Sequence, residues 1–175
     1  PETLQAEFPE FRETLAGYSE IAEATGLLYS RNNRPPKGLS QTSPAVLYNS
    51  MIHPLIPFSI RGVVWYQGES NSSRGEQYRT LFPAMIASWR RAWGQGDFPF
   101  LFVQITPHQG MSPQVREAQR VTTETTPNTA MAVTVDVGHP TDIHPKQKQP
   151  IGERLALAAR ALAYGEDVEY SGPTY

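Results

Sequence analysis

Residues 63–66, Val-Val-Trp-Tyr, constrain the fold of this chain more than any other stretch. Four consecutive β-branched or aromatic residues without polar alternation predict a strand buried on both faces of a parallel sheet. The run then breaks into Gln67-Gly68-Glu69-Ser70-Asn71, which sets two amides, a carboxylate and a hydroxyl at the strand's carboxyl end. In open α/β sheets that end is where ligands bind.

The same arrangement returns twice. Residues 100–105 and 131–137 read as further apolar strands, and helical patterns occupy the gaps between them. Tyr78, Leu81, Phe82, Met85, Ile86, Trp89 and Trp93 form one apolar stripe that stops at Gly94; residues 115–123 form a weaker pattern, and residues 151–164 an Ala- and Leu-rich one that stops at Gly165. A βαβαβα series joined by right-handed crossovers gives parallel strands with helices on both faces, a three-layer α/β sandwich of flavodoxin-like topology. Its three post-strand loops share one rim. Ahead of the series, residues 43–53 read as a short buried helix with Ser43 as N-cap and Pro44 at its first position, ended by Pro54 and Pro57.

Residues 1–42, with the polar, Pro-rich string at 31–38, read as a linker or the end of an inserted segment. Residues 43–166 then form the body of the domain, and residues 167–175 the start of a connection. A length of 175 residues with 39% apolar content suffices for one real core. Fifteen basic residues against 17 acidic ones, a net charge of −2, leave no electrostatic footprint for nucleic acid and no polybasic membrane patch. No run approaches the roughly 18–20 apolar residues of a membrane span. The lack of cysteine excludes a disulfide framework, a thiolate nucleophile and a Cys-ligated zinc site, and leaves the compartment open.

The third rim loop, residues 136–145, holds two histidines and two carboxylates. His144 is the general-base candidate, because imidazole titrates near neutrality and works as a base once a second group fixes its tautomer. Asp142 is placed to do that. The competing reading is purely local, with Asp142 or His144 bonding backbone donors ahead of the next helix. His139, His144 and Asp142 are also metal-ligand types, but their spacing matches no zinc site, and neither metal nor cofactor is expected. His53 and His108 read as structural or rim residues. In the first rim loop, the amide of Gln67 and the N–H groups around Gly68 and Glu69 are what an oxyanion hole requires. Alternatively, Gln67, Glu69 and Asn71 bond the loop to itself. Ser70 lacks the second glycine of a Gly-x-Ser-x-Gly elbow and is a weak nucleophile motif.

These loops resemble the sialate O-acetylesterase family of SGNH-type hydrolases. The resemblance lies in Trp-Tyr-Gln-Gly-Glu-Ser-Asn at 65–71, in Leu-Tyr-Asn-Ser-Met-Ile-His-Pro-Leu at 47–55, and in Tyr-Arg-Thr-Leu-Phe-Pro at 78–83. It continues through residues 97–104, Arg-Glu-Ala-Gln at 116–119, Asp-Ile-His-Pro-Lys at 142–146 and Gly-Glu-Arg-Leu-Ala at 152–156. It implies a serine esterase that removes acetyl groups from sialic acids or acetylated polysaccharides, with His144 as base, Asp142 as its nearest orienter and Gln67, Gly68 and Glu69 lining the oxyanion and substrate site. The SGNH class usually has its acid three residues before the histidine, where Thr141 stands here, so Asp136 or a backbone carbonyl is the alternative orienter. The family's Gly-Gln-Ser-Asn-Met nucleophile block does not occur in this chain. The chain is therefore expected to be the C-terminal portion of a longer, exported esterase whose N-terminal part carries the serine and completes the sheet. The rival expectations are a non-catalytic carbohydrate-binding domain and a self-sufficient hydrolase using Ser70.

Overall fold

The computed structural model describes residue 43, residues 45–56 and residues 58–173, in two compact units, Pro1–Phe58 and Ser59–Tyr175. The expected linker at 1–42 lies outside the described residues.

In the first unit the helix expected over 43–53 is broken up. A π-helical turn spans Tyr48–Ile52 and a 3-10 turn His53–Leu55, and neither has a side-chain cap. Val46 is buried, whereas Leu47, Met51, Leu55 and Phe58 are exposed. The apolar residues therefore do not share one inward stripe, and Pro54 stands inside the 3-10 turn rather than ending a helix.

The second unit carries the βαβαβα series. Its elements are β1 (Val63–Trp65), α1 (Gly75–Trp93), β2 (Phe100–Val103), α2 (Pro113–Thr125), β3 (Thr129–Ala132) and α3 (Gln149–Tyr164). The three strands are parallel in the order β1-β2-β3, with Val63 opposite Phe100 and Phe100 opposite Thr129. Helices α1 and α2 pack on one face, where Tyr78, Phe82, Ile86, Phe100, Phe102, Ile105, Val115 and Ala118 form the main core. The Phe82 ring stands edge-on to Phe102 at 4.9 Å and stacks on Tyr78 at 5.1 Å. Helix α3 covers the other face, with Leu155 and Ala158 against Leu101, Val103 and Ala130. Alternation along β2 sends Phe100 and Phe102 one way and Leu101 and Val103 the other, as a central strand with both faces covered requires.

Two expectations need correction. Residues 63–66 are not buried on both faces: Val63 and Trp65 pack into the α1/α2 core, but Val64 is 63% exposed and Tyr66 39% exposed. Helix α3 covers β2 and β3 but not Val64 on the matching face of β1. The third strand lies at Thr129–Ala132 rather than 131–137. Beyond Ala132 the Thr134 hydroxyl donates to the Gln104 carbonyl at 2.9 Å, and the Thr134 carbonyl accepts from the N–H groups of Val137 and Gly138. That turn carries Val135 out of the sheet despite its β-favouring side chain.

Polar side chains pin both ends of the strands. At the entry end the buried Arg90 guanidinium donates to the carbonyls of Phe98, Pro127 and Asn128 at 2.8, 2.8 and 3.2 Å, which ties α1 to the starts of β2 and β3. At the exit end the buried Gln119 of α2 accepts from Ile105 N–H at 2.8 Å and donates to the Val103 carbonyl at 3.1 Å. Its carboxamide thereby takes two backbone groups of β2 as a neighbouring strand would, at the level where β1 has already ended.

Candidate active site

Because the strands are parallel, the segments after β1, β2 and β3 all leave at one rim. Ser112 caps α2 with its hydroxyl accepting from Gln114 N–H at 3.2 Å. The segment between β2 and α2 meets the loop after β3 closely: a Cβ at Gly138 would stand 2.7 Å from Pro107 Cδ, and Gln109 N–H donates to the Pro140 carbonyl at 2.9 Å. Only glycine permits that approach.

The first rim loop turns at Gly68, whose φ of +151° and ψ of −7° suit glycine alone. A Cβ there would meet Ile105 Cδ1 at 3.1 Å and the Tyr78 hydroxyl at 3.2 Å. The Trp65 indole N–H donates to the Gln67 carbonyl at 3.2 Å, and Gly68 N–H donates to Glu69 Oε2 at 3.0 Å. The Gln67 side chain is exposed, and Ser70 is exposed in the 3-10 turn Glu69–Arg74 that leads into α1. Tyr78 is 5% exposed, and its hydroxyl has no hydrogen-bond partner among the described residues. Burial pushes its pKa up to about 12, the Trp65 indole lowers it and the Glu69 carboxylate raises it. The Trp65 hydrogen is committed to the Gln67 carbonyl, so geometry leaves the Tyr78 hydroxyl without a bond of its own.

The third rim loop separates its histidines by role. His139 Nδ1 accepts from the N–H groups of Asp142 and Thr141 at 3.1 and 3.3 Å, and His108 Nδ1 on the second loop accepts from Gly110 N–H at 3.0 Å. Both imidazoles hold their own loops together. His144 is exposed, and no hydrogen bond to its imidazole occurs among the described residues. Asp142 Oδ1 accepts from the backbone N–H of His144 at 2.9 Å. That bond holds its carboxyl below the usual range, with the Lys146, His144 and His139 charges adding to it. Asp142 thus braces the backbone of the residue it was expected to orient. Asp136 is committed elsewhere: Arg154 grips both of its oxygens at 2.7 and 2.6 Å and also donates to the Val133 carbonyl. The guanidinium holds the Asp136 carboxyl low.

Gln67, Gly68 and Glu69 therefore form one turn, and Asp142 and His144 another. Lys148, four residues past His144, reaches the end of β1: its ammonium donates to the hydroxyl of Tyr66 at 3.0 Å and lies 4.6 Å from that ring's centre. Among the described residues no group of three His, Asp or Glu side chains is arranged to hold a metal ion, and no helix is long and apolar enough to cross a membrane. Sequence reasoning missed Lys148, Arg154, Gln119 and Tyr78 as determinants of the rim. Gln119 carried a signal, since it stands four residues after Val115 and three before Thr122 on the buried face of α2.

An open parallel sheet flanked by helices, with polar loops gathered on its carboxyl rim, is the architecture of SGNH-type α/β hydrolases. Residues 38–161 match the carbohydrate esterase family described as sialic acid-specific acetylesterase. The sialate O-acetylesterases of Rattus norvegicus and Homo sapiens are each 40% identical over 153 and 161 residues, which is 74% and 77% of this chain but 28% and 31% of theirs. The crystal structure of a novel carbohydrate acetylesterase from Xanthomonas citri superposes with a TM-score of 0.69 at 48% identity, covering 73% of this chain and 32% of that one. The chain belongs to the sialic acid-specific acetylesterase family of carbohydrate esterases. It spans less than a third of the length of the curated relatives cited.

Proposed function

We propose that this chain is the histidine-bearing, oxyanion-side portion of a serine esterase that removes O-acetyl groups from sugars, either sialic acids or acetylated polysaccharides. A serine on an N-terminal part of the same enzyme attacks the acetyl carbonyl, and His144 takes its proton and returns it to the departing sugar hydroxyl. The Gln67 amide and the N–H groups of the Gly68–Glu69 turn stabilise the tetrahedral oxyanion. Water then releases acetate by the same route. Asp142 keeps the His144 backbone in place and lends its charge to the imidazolium. We place the enzyme outside the cytoplasm, where acetylated glycans are met.

The contact of Lys148 with Tyr66 supports this reading most, because Tyr66 immediately precedes Gln67 and Lys148 follows His144 by four residues. The exposed face of β1, and an edge that no strand pairs among the described residues, supply the second support, since an apolar parallel strand is stable only when neighbours cover it. The names of the relatives supply the third. In the complete enzyme, His144→Ala is expected to lower acetyl-ester turnover by about 10³-fold or more while leaving the unfolding temperature within a few degrees. Turnover within about tenfold of the parent would remove His144 from the mechanism.

A further inference from the structure

Gly68 N–H is one of the donors an oxyanion would use, and here it is occupied by the carboxylate of the next residue, Glu69, at 3.0 Å. Two negative charges cannot share that donor without strong repulsion. Glu69 must therefore leave when an oxyanion forms, and its carboxylate then needs another donor. Tyr78 lies beneath the same turn, with its hydroxyl 3.2 Å from where a Cβ on Gly68 would stand. That hydroxyl is buried without a partner among the described residues, an arrangement that costs stability and that phenylalanine would avoid with the same ring packing. A buried group left unpaired in one state is explained when it is used in another.

We propose that Tyr78 is a positioning residue for the oxyanion turn: its hydroxyl receives the Glu69 carboxylate when that group releases Gly68 N–H to the developing oxyanion. The inference rests on the assignment of residues 67–69 to the oxyanion site. Burial and the Glu69 charge keep the hydroxyl protonated, and so a donor, across the working pH range. No bond is made or broken in the exchange. One hydrogen bond to the carboxylate is traded for another, and the N–H is freed.

The test uses the complete enzyme, 4-nitrophenyl acetate and four variants: Tyr78→Phe, Glu69→Gln, the two combined, and Gln67→Ala. For Tyr78→Phe, kcat is expected to fall by roughly tenfold, with KM within about twofold and the unfolding temperature unchanged or raised. In the Glu69→Gln background, where no charge has to be moved, adding Tyr78→Phe should change kcat little further. An unchanged kcat in Tyr78→Phe, additive losses in the double variant, or a lost kcat accompanied by a lowered unfolding temperature would each overturn the proposal, the last by showing a structural role. Gln67→Ala separates this from the underlying assignment. If it leaves kcat intact, the oxyanion site itself is misassigned; if it lowers kcat while Tyr78→Phe does not, only the role of Tyr78 fails.

Discussion

Gln119→Leu tests how the rim is built. Leucine keeps the apolar stem but leaves Ile105 N–H and the Val103 carbonyl, both now bonded to the carboxamide, buried without partners. Each orphaned group costs about 1–3 kcal/mol, so the pair costs roughly 2–6 kcal/mol. At about 2–4 °C per kcal/mol for a domain of this size, the unfolding temperature should fall by on the order of 10 °C. Ile105 also packs under Gly68, so the turn it supports should loosen at the same time. Thermal unfolding by circular dichroism measures the first effect, and hydrogen exchange at the Ile105 amide the second, with protection expected to drop well below that of β2. A loss under about 2 °C with full protection at Ile105 would refute the reasoning, because these two backbone groups would then have other partners.

Gly68→Ala should destabilise by about 1–3 kcal/mol and displace the turn, since the new Cβ meets Ile105 and Tyr78 at a backbone angle that alanine avoids; the unfolding temperature and kcat together report it. Lys148→Met should leave stability nearly unchanged, because the Tyr66 contact is exposed, yet lower kcat in the complete enzyme by loosening the two turns against each other; an intact kcat would show that the contact positions nothing. Asp136 is held below its ordinary pKa by Arg154, so the stability their pairing gives is present above the unfolded-state value and lost as pH falls through the folded one. Melting temperatures should therefore drop more steeply below about pH 4 in the parent than in Asp136→Asn. Equal acid slopes would contradict this.

Helices α1, α2 and α3 were legible in the sequence because each follows one dominant rule, whereas the helix expected over 43–53 was not, its place being taken by the turns Tyr48–Ile52 and His53–Leu55. The stripe from Tyr78 to Trp93 falls on one face of α1, and the helix closes at Gly94 as its sequence suggests. Strand β2 was legible for the same reason, being covered on both faces, although it ends at Val103 rather than at residue 105. The misreadings arose where tertiary context overrides composition. Val64 looks like a core residue but is left uncovered by the reach of α3, and Val135 looks like a strand residue but follows the turn at Thr134. At the site, residue types indicated which side chains matter but not which partners they take. His139 and His144 are indistinguishable by composition, yet one braces its loop and the other does not. Asp136 and Asp142 were both open as orienters, and Arg154, ten residues past His144, claims the first. Such pairings depend on where α3 begins, which no local pattern encodes.

The central claim is that the His144 turn and the Gln67–Glu69 turn face a serine supplied by another part of the same enzyme. The most direct measurement is a crystal structure of the complete enzyme after reaction with a fluorophosphonate. The account predicts a phosphonylated serine outside residues 1–175, its phosphonyl oxygen bonded by Gly68 N–H or the Gln67 amide, and the His144 imidazole within hydrogen-bond reach of the serine Oγ. A label on Ser70, or a labelled serine with His144 far from it, would contradict the account.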